Sequence, residues 1–478
     1  MILRNAKTLL LLVLALLCGP AVRSDETRFE LENGLEVILH SRPGVGKVAI
    51  MLLYDIGELH DPRGKSGLSH MVEHLYMTSA VGETEARTHE QLLEAYRGQV
   101  KVKTGRDYTV FSVTVETDGL QKELSDFAAR MTKLDFLPGD LERELPRLRA
   151  ELDNMYGGDP SLTATVSSSG AALPLGKGAR RGGQMADVEK ISLVDVREWH
   201  RRHYKANNAT LVLAGAFDLE LAESLIVTYF KDIKPGVRPE VTSEPGESRL
   251  GGMDSLSTFR PLEGWAPPAT AKIAYRAPDP NSKLYAPFLV ILSNMMDKHQ
   301  LALRTRRIHA KTSPPVTFMP IDLPELFWIN RAVLDPRPGD EEIIQSLREK
   351  TISQAEKSAT KSRRYLNQSF APLLGIADEW QTEMELKMSP QNVAFGVGRR
   401  KQLGINTDKL RSALKKVKKK HIRSCAKKVF GEKLGAAVVV RLQDRPPEPP
   451  PEVSLPEEAS APESQSEEVD PTGAEEEG

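Results

Sequence analysis

The chain has 478 residues, 40% hydrophobic and 27% charged, with a formal net charge of −1. That length exceeds one ordinary core and predicts two or more domains, and the balance is that of a globular protein rather than a disordered one. Cys18 and Cys425 are the only cysteines, which excludes a disulfide framework once a leader carrying Cys18 is removed.

Residues 1–24 read as a signal peptide. Arg4 and Lys7 precede an apolar run, Thr8 to Cys18, and the small residues Ala21 and Ser24 offer cleavage positions. The run is too short to span a bilayer comfortably. The expected location is periplasmic or secreted, with no membrane span after removal of the leader.

From Glu30 to His40 the sequence alternates around an Asn33-Gly34 turn signal and predicts a hairpin. Val48–Tyr54 reads as a buried strand, Gly67–Met77 as a helix and Val110–Val115 as a further strand. Leu141–Met155 reads as a helix with Asp140 as its N-cap; Pro146 is expected to kink or shorten it. Val194–Tyr204 reads as a helix and Thr210–Ala214 as a strand. These elements compose an expected N-terminal domain, residues 25–235, followed by a Pro-, Gly- and Ser-rich linker, 236–255.

Residues 256–444 form the expected second domain. Ala271–Tyr275 and Phe327–Val333 read as strands, Tyr285–Met296 and Glu341–Lys357 as helices. The domain closes with helical sequence over Asp408–Phe430 and the strand Ala436–Val440. Each half ends in a basic helical segment followed by an apolar strand, which predicts duplication of one α+β unit.

Residues 445–478 hold 8 prolines and 11 acidic residues against one arginine. Such a segment lacks the apolar bulk to offset its ordering entropy and reads as a disordered acidic tail. Lys415, Lys416, Lys418, Lys419 and Lys420 lie opposite Leu410, Leu414 and Val417 on helical spacing, and read as a solvated basic face. No aromatic platform is interleaved with that charge, so no nucleic-acid partner is expected.

The chemistry concentrates in Gly67-Leu68-Ser69-His70-Met71-Val72-Glu73-His74-Leu75. Residues four apart share a helix face, so His70 and His74 can offer two imidazole nitrogens to one zinc ion. Glu73 stands beside that face, where it can take the proton of a water that the ion activates. Catalytic zinc has three protein ligands, and the residues alone leave the third open among Glu83, Glu85, Glu90, Glu142, Glu144 and Glu151. His200 and His203 form a second close pair without an acidic companion and read as packing or surface residues.

The His-x-x-Glu-His order resembles the pitrilysin or insulinase family of zinc metallopeptidases. That family has 76 residues between the second His and a ligand Glu, and the same gap from His74 reaches Glu151. Glu144, one heptad earlier, matches the family's accessory Glu. The likeness covers most of residues 27–443, including Glu32-Asn33-Gly34-Leu35-Glu36-Val37. It implies an α+β fold of two homologous domains, each an antiparallel sheet packed with helices, and a Zn2+-dependent endopeptidase acting on peptide or protein substrates. His70, His74 and Glu151 would be ligands, with Glu73 and Glu144 in catalytic roles.

Departures from the family pattern bear on substrate binding. Lys101-Val102 stands where members carry Asn-Ala on the strand that pairs with substrate, and a lysine there is expected to favour acidic substrates. Arg306 matches the family's substrate-gripping Arg, but its companion Tyr is replaced by Ser313. Some members work in pairs that divide these parts, so the resemblance implies a heterodimer in which a second family subunit supplies an Arg/Tyr pair. A non-catalytic subunit that kept the fold is the alternative.

Overall fold

The structure, a computed structural model, describes residues 25–156, 182–239, 252–259, 267–304, 326–360 and 388–444, apart from single positions 43, 45, 83, 336, 432 and 433. The expected leader and acidic tail, most of the expected linker, Glu83, Arg306 and Ser313 lie outside the described residues.

The first half builds a six-stranded sheet from β1 (Asp25–Glu30), β2 (Glu36–Ser41), β3 (Lys47–Tyr54), β4 (Val100–Thr104), β5 (Thr109–Glu116) and β6 (Ala209–Gly215), in the order β1-β2-β6-β3-β5-β4. The β1–β2 hairpin turns at Asn33-Gly34 as the sequence predicts. Gly34 has φ +84°, and a Cβ there would come within 2.9 Å of Asn207 Cβ. Asn33 Nδ2 donates to Phe230 O and Ile233 O, so the turn also holds the end of a distant helix.

Between β3 and β4 lie α1 (Leu68–Thr78) and α2 (His89–Ala95). Between β5 and β6 lie α3 (Leu120–Thr132), α4 (Pro138–Tyr156), α5 (Met185–Val188) and α6 (Leu193–His203), and α7 (Leu219–Phe230) follows β6.

The second half forms a four-stranded sheet of β7 (Met253–Phe259), β8 (Ala269–Arg276), β9 (Leu326–Val333) and β10 (Gly435–Gln443), ordered β7-β10-β8-β9. Its helices are α8 (Tyr285–Arg304), α9 (Asp340–Glu356), α10 (Pro390–Gln402), α11 (Thr407–Lys415) and α12 (Lys419–Val429).

The expected duplication is visible in the topology. The inner strands β2-β6-β3-β5 pair parallel, antiparallel, antiparallel, and β7-β10-β8-β9 repeat that series. The fold class is α+β as the sequence predicts, with one parallel pair in each otherwise antiparallel sheet. Local alternation does not reveal that pair, because it depends on which distant strands become neighbours.

The first sheet is covered on both faces, and its strands are correspondingly continuous in apolar residues. Val48, Ile50, Leu52 and Tyr54 of β3 enter the core beneath α1, α3, α4, α6 and α7. Ala49, Met51 and Leu53, pointing the other way, meet Val393, Ala394, Phe395 and Val397 of α10. A helix from the expected second domain therefore packs on the sheet of the first. The second half has its own core between its sheet and α8, α9, α11 and α12, including the buried free thiol of Cys425.

Several boundaries differ from expectation. Helix α4 starts at Pro138, in its first turn, where a missing N–H costs nothing. Asp140 lies inside that turn and accepts from Leu137 N. The helix also runs through Pro146 without interruption. Pro146 is exposed, so the Glu142 carbonyl that loses its helical partner lies on the wet side, while Leu148 and Leu152 anchor the opposite face. Strand β7 begins inside the expected linker. The basic segment is two helices, broken over residues 416–418, with Leu410, Leu414 and Val417 buried as the spacing predicts.

Candidate metal centre

Every residue of α1 is buried, including Ser69, His70, Glu73 and His74. Burying such polar groups unpaired costs several kcal/mol in total, so their partners are diagnostic. The helix is started from outside: Asp61 accepts from Gly67 N at 2.8 Å and Ser69 N at 2.9 Å, placing a carboxyl at the electropositive helix end. Burial pushes Asp61 up to about 7 even so. Gly67 has φ +100°, and a Cβ there would meet Val188 Cγ2 at 2.7 Å.

His70 Nδ1 lies 3.0 Å from the carbonyl of Gly182. A carbonyl can only accept, so Nδ1 carries the proton and Nε2 presents a lone pair. His74 Nδ1 is 3.2 Å from Glu144 Oε2, a carboxylate that also accepts, so Nδ1 carries a proton here too and Nε2 is the nitrogen left for other partners. The two Nε2 atoms face Glu151: His70 Nε2 is 3.7 Å from Oε1, and His74 Nε2 is 3.5 Å from Oε2.

Ligands about 2.0–2.2 Å from a tetrahedral zinc stand about 3.3–3.6 Å apart. The observed spacings fit that ion, and among the described residues these three alone form such a group, their ligand atoms all within 4.8 Å. Of the sequence-level candidates for third ligand, Glu151 converges on the histidines. Glu144 reaches only the outer nitrogen of His74, and Glu83 lies outside the described residues. Glu151 is half-exposed, which leaves an open side for water and substrate.

The electrostatics agree. The His74 hydrogen bond, opposed by burial, holds the Glu151 carboxyl at about 2. Burial pulls His74 down, but Glu144, Glu151 and Glu73 outweigh it and raise the imidazole to about 9. This is a pocket of acids that calls for a cation. Glu144 has a fully buried side chain, yet His74, Arg147 and Arg143 overcome burial and hold it below the usual carboxylate range. It fixes the ring it touches, as outer partners of metal-bound histidines do.

Glu73 Oε2 lies 3.8 Å from His70 Nε2 and accepts from Thr104 N at 2.8 Å. Thr104 ends β4, the edge strand. Gly105 N donates to Tyr108 O, and in that register residues 100, 102 and 104 direct their N–H and C=O groups away from β5. Val102 packs toward the core under α1. Lys101 points to the other face, its ammonium 4.8 Å from the Phe395 ring centroid, and is therefore not aimed at Glu73.

Sequence reasoning missed Gly182, Glu58 and Thr104. Glu58 Oε1 accepts from Gly182 N at 2.7 Å and so aims the carbonyl that orients His70. The Gly182-Gly183 pair was the available signal: both have positive φ, +81° and +114°. His200 and His203 are packing residues, His200 among Tyr76, Phe136 and Tyr204, and His203 against Trp199 and Val237 O.

A family model described as Insulinase (Peptidase family M16) matches residues 36–170, and one described as Peptidase M16 inactive domain matches residues 190–308. The chain belongs to the M16 insulinase family. It is 27% identical over 218 residues to the zinc protease PqqE of Helicobacter pylori, covering 43% of this chain and 46% of that one. It is 26% identical over 223 residues to insulin-degrading enzyme of Drosophila melanogaster, covering 44% and 22%. The chain thus matches less than half the length of these curated M16 relatives.

Among solved structures, a protease from Helicobacter pylori superposes with TM-score 0.69 and 17% identity, covering 88% of this chain and all of that one. The first half of the periplasmic protease PqqL from Escherichia coli gives TM-score 0.64 and 14% identity, covering 88% and 93%. These likenesses carry the M16 fold.

Proposed function

We propose that this chain is a zinc-dependent endopeptidase that cleaves peptides or unfolded small proteins, with Glu73 as general base. The observation that carries this reading is the approach of His70 Nε2 and His74 Nε2 to the two Glu151 oxygens at 3.7 and 3.5 Å, with both Nδ1 atoms bonded elsewhere.

Zinc, when bound, polarises a scissile carbonyl and lets water lose a proton near neutral pH. Glu73 takes that proton as the water attacks and passes it to the leaving amine. The Thr104 N–H fixes one Glu73 oxygen and leaves the other for this transfer. The free edge of β4 accepts an extended peptide by backbone pairing through Val100 and Val102, while the main-chain groups of Lys101 face β5. A peptide laid there runs past Thr104 toward Glu73. Arg306 is assigned to steadying the developing oxyanion, by the resemblance alone.

Ser313 in place of the family's Tyr leads us to assign the chain as the zinc-bearing subunit of a heterodimer, its partner supplying an Arg/Tyr pair. A periplasmic or secreted location is supported by the apolar leader and by the periplasmic neighbour. Among the described residues no helix is long and apolar enough to cross a membrane.

Glu73→Gln should retain about one zinc per chain and lose peptide cleavage. Retained cleavage rejects Glu73 as base, and a wild-type chain without zinc points instead to a non-catalytic subunit. Full activity of the isolated chain, unaltered by any family partner, removes the heterodimer.

A further inference from the structure

Helix α10 covers the far face of the first sheet, and its polar residues do something its apolar ones do not. Val393, Ala394 and Val397 pack on the centre of the sheet. Gly398 lets the helix approach closely: a Cβ there would lie 3.2 Å from Leu53 Cδ2 and 3.3 Å from Val212 Cγ2. These contacts pack the helix on the sheet.

The β4–β5 hairpin is gripped separately, at both ends. Gln391 Nε2 donates to Gln99 O at 3.0 Å and Ser112 O at 3.3 Å, where β4 begins. Arg399 pairs with both oxygens of Asp107 at 3.2 and 3.3 Å, and its guanidinium lies 4.2 Å from the Tyr108 ring centroid, in the turn where β4 ends. Phe395 lies between, against Lys101 and Tyr108.

That turn has two links to the metal centre. Thr104 N–H holds Glu73. Gly105 O and Arg106 O accept from Glu58 N and Leu59 N, and Glu58 in turn fixes Gly182 and so His70. The approach is close: a Cβ on Gly57 would come within 2.3 Å of Gly105 O. Arg399 is only 4% exposed. Asp107, its partner, is only partly buried, and desolvation of the guanidinium offsets much of the attraction, so the pair adds little net stability.

We propose that α10 is a positioning element for the active site. Arg399 and Gln391, from the second half of the chain, hold the β4–β5 hairpin so that Thr104 N–H aims Glu73 and the edge of β4 stays in register for substrate. The activity arm of this proposal rests on the peptidase reading; the structural arm does not.

The test uses the full chain with zinc, comparing Arg399→Met, Asp107→Asn and Gln391→Ala with wild type. Lys401→Met is the control, since that lysine leaves the same helix toward Glu36 on β2. Amide hydrogen exchange is read separately for residues 100–108 and for α1. In Arg399→Met and Asp107→Asn, exchange at Thr104 should quicken tenfold or more, while α1 keeps its protection and zinc its stoichiometry. On a fluorogenic peptide, kcat should fall tenfold or more for those two. Gln391→Ala should mainly raise KM, Arg399→Lys should recover part of the loss, and Lys401→Met should match wild type.

Unchanged exchange at Thr104, or equal loosening of α1 and β4, overturns the proposal. Where Arg399→Met does not fold, the milder Asp107→Asn decides. A wild type that binds zinc but cleaves nothing defeats the peptidase reading, and the exchange arm still decides the role of α10.

Discussion

His74 stands between two carboxylates, Nδ1 3.2 Å from Glu144 Oε2 and Nε2 3.5 Å from Glu151 Oε2. The two acids sit seven residues apart on α4, on one face, so a single helix supplies both the partner that orients the ring and the carboxylate that converges on its other nitrogen. Arg143 and Arg147 sit beside Glu144 on the same helix and keep it ionised. The site is thus a contact between two helices, α1 and α4, with its chemistry fixed by what lies just outside the ligand atoms.

Replacing Glu144 tests that arrangement. Glu144→Ala leaves all three ligands in place and removes the acceptor of His74 Nδ1–H. Zinc affinity should fall about 10–100-fold. Glu144→Gln, whose amide oxygen can still accept, should lose less. Competition against a chelator of known affinity measures both, and an unaltered affinity in Glu144→Ala contradicts the orienting role.

Gly182 makes a similar prediction for His70. Its φ is +81°, and a Cβ would lie 2.9 Å from Leu152 Cδ2 and 3.3 Å from His70 Nδ1. Gly182→Ala should destabilise the fold by about 1–3 kcal/mol and weaken zinc binding together. Gly139, in the first turn of α4 with nothing within 4 Å of its added Cβ, is the contrast. Gly139→Ala should be neutral or stabilise by about 0.4–1 kcal/mol. Thermal melts of the two variants should move in opposite directions.

Metal removal should separate α1 from α4. Zinc at 1,000 times its dissociation constant contributes about 4 kcal/mol to the folded state. A chelator should therefore lower the melting temperature of wild type by several degrees, with a smaller shift in Glu151→Ala. Equal shifts in both proteins mean that Glu151 is not a ligand.

How much of this was legible depends on which atoms make each contact. The Asn33-Gly34 turn, the buried strand β3, the helix α1 and the His70/His74 pair all rest on side-chain types, which the sequence displays, whereas Glu151 was singled out only by the family resemblance. Glu73 is held by the backbone of Thr104, and His70 by the backbone of Gly182. A main-chain N–H or C=O leaves no residue signature, and Gly182 lies 112 positions from His70. The docking of α10 on the first sheet was hidden for a related reason. Its apolar face looks like any core helix, and nothing local tells which sheet it covers. Pro146 does not shorten α4, because its cost depends on exposure, which periodicity there does not resolve.

His200 predicts the response to acid. It is buried among aromatic rings, 5.6 Å from Tyr204 in a stacked arrangement and 5.2 Å from Phe136 edge-on. Burial, with Lys205 nearby, pushes its pKa down to about 3. In the unfolded chain an ordinary histidine titrates near about 6.5. Between those values the unfolded state binds a proton that the folded state refuses. The contribution of this group is therefore complete above about pH 6.5 and declines as the pH falls toward 3, by about 1.4 kcal/mol per unit. Between pH 7.5 and pH 5 it amounts to about 2 kcal/mol. His200→Gln, close in size and unable to take up a proton, should be less stable at pH 7.5 but lose less between pH 7.5 and 5 than wild type. Urea unfolding of the zinc-free proteins at both pH values measures the difference. Zinc is left out because its own binding changes with pH. Equal losses in the two proteins place the acid sensitivity elsewhere than this histidine.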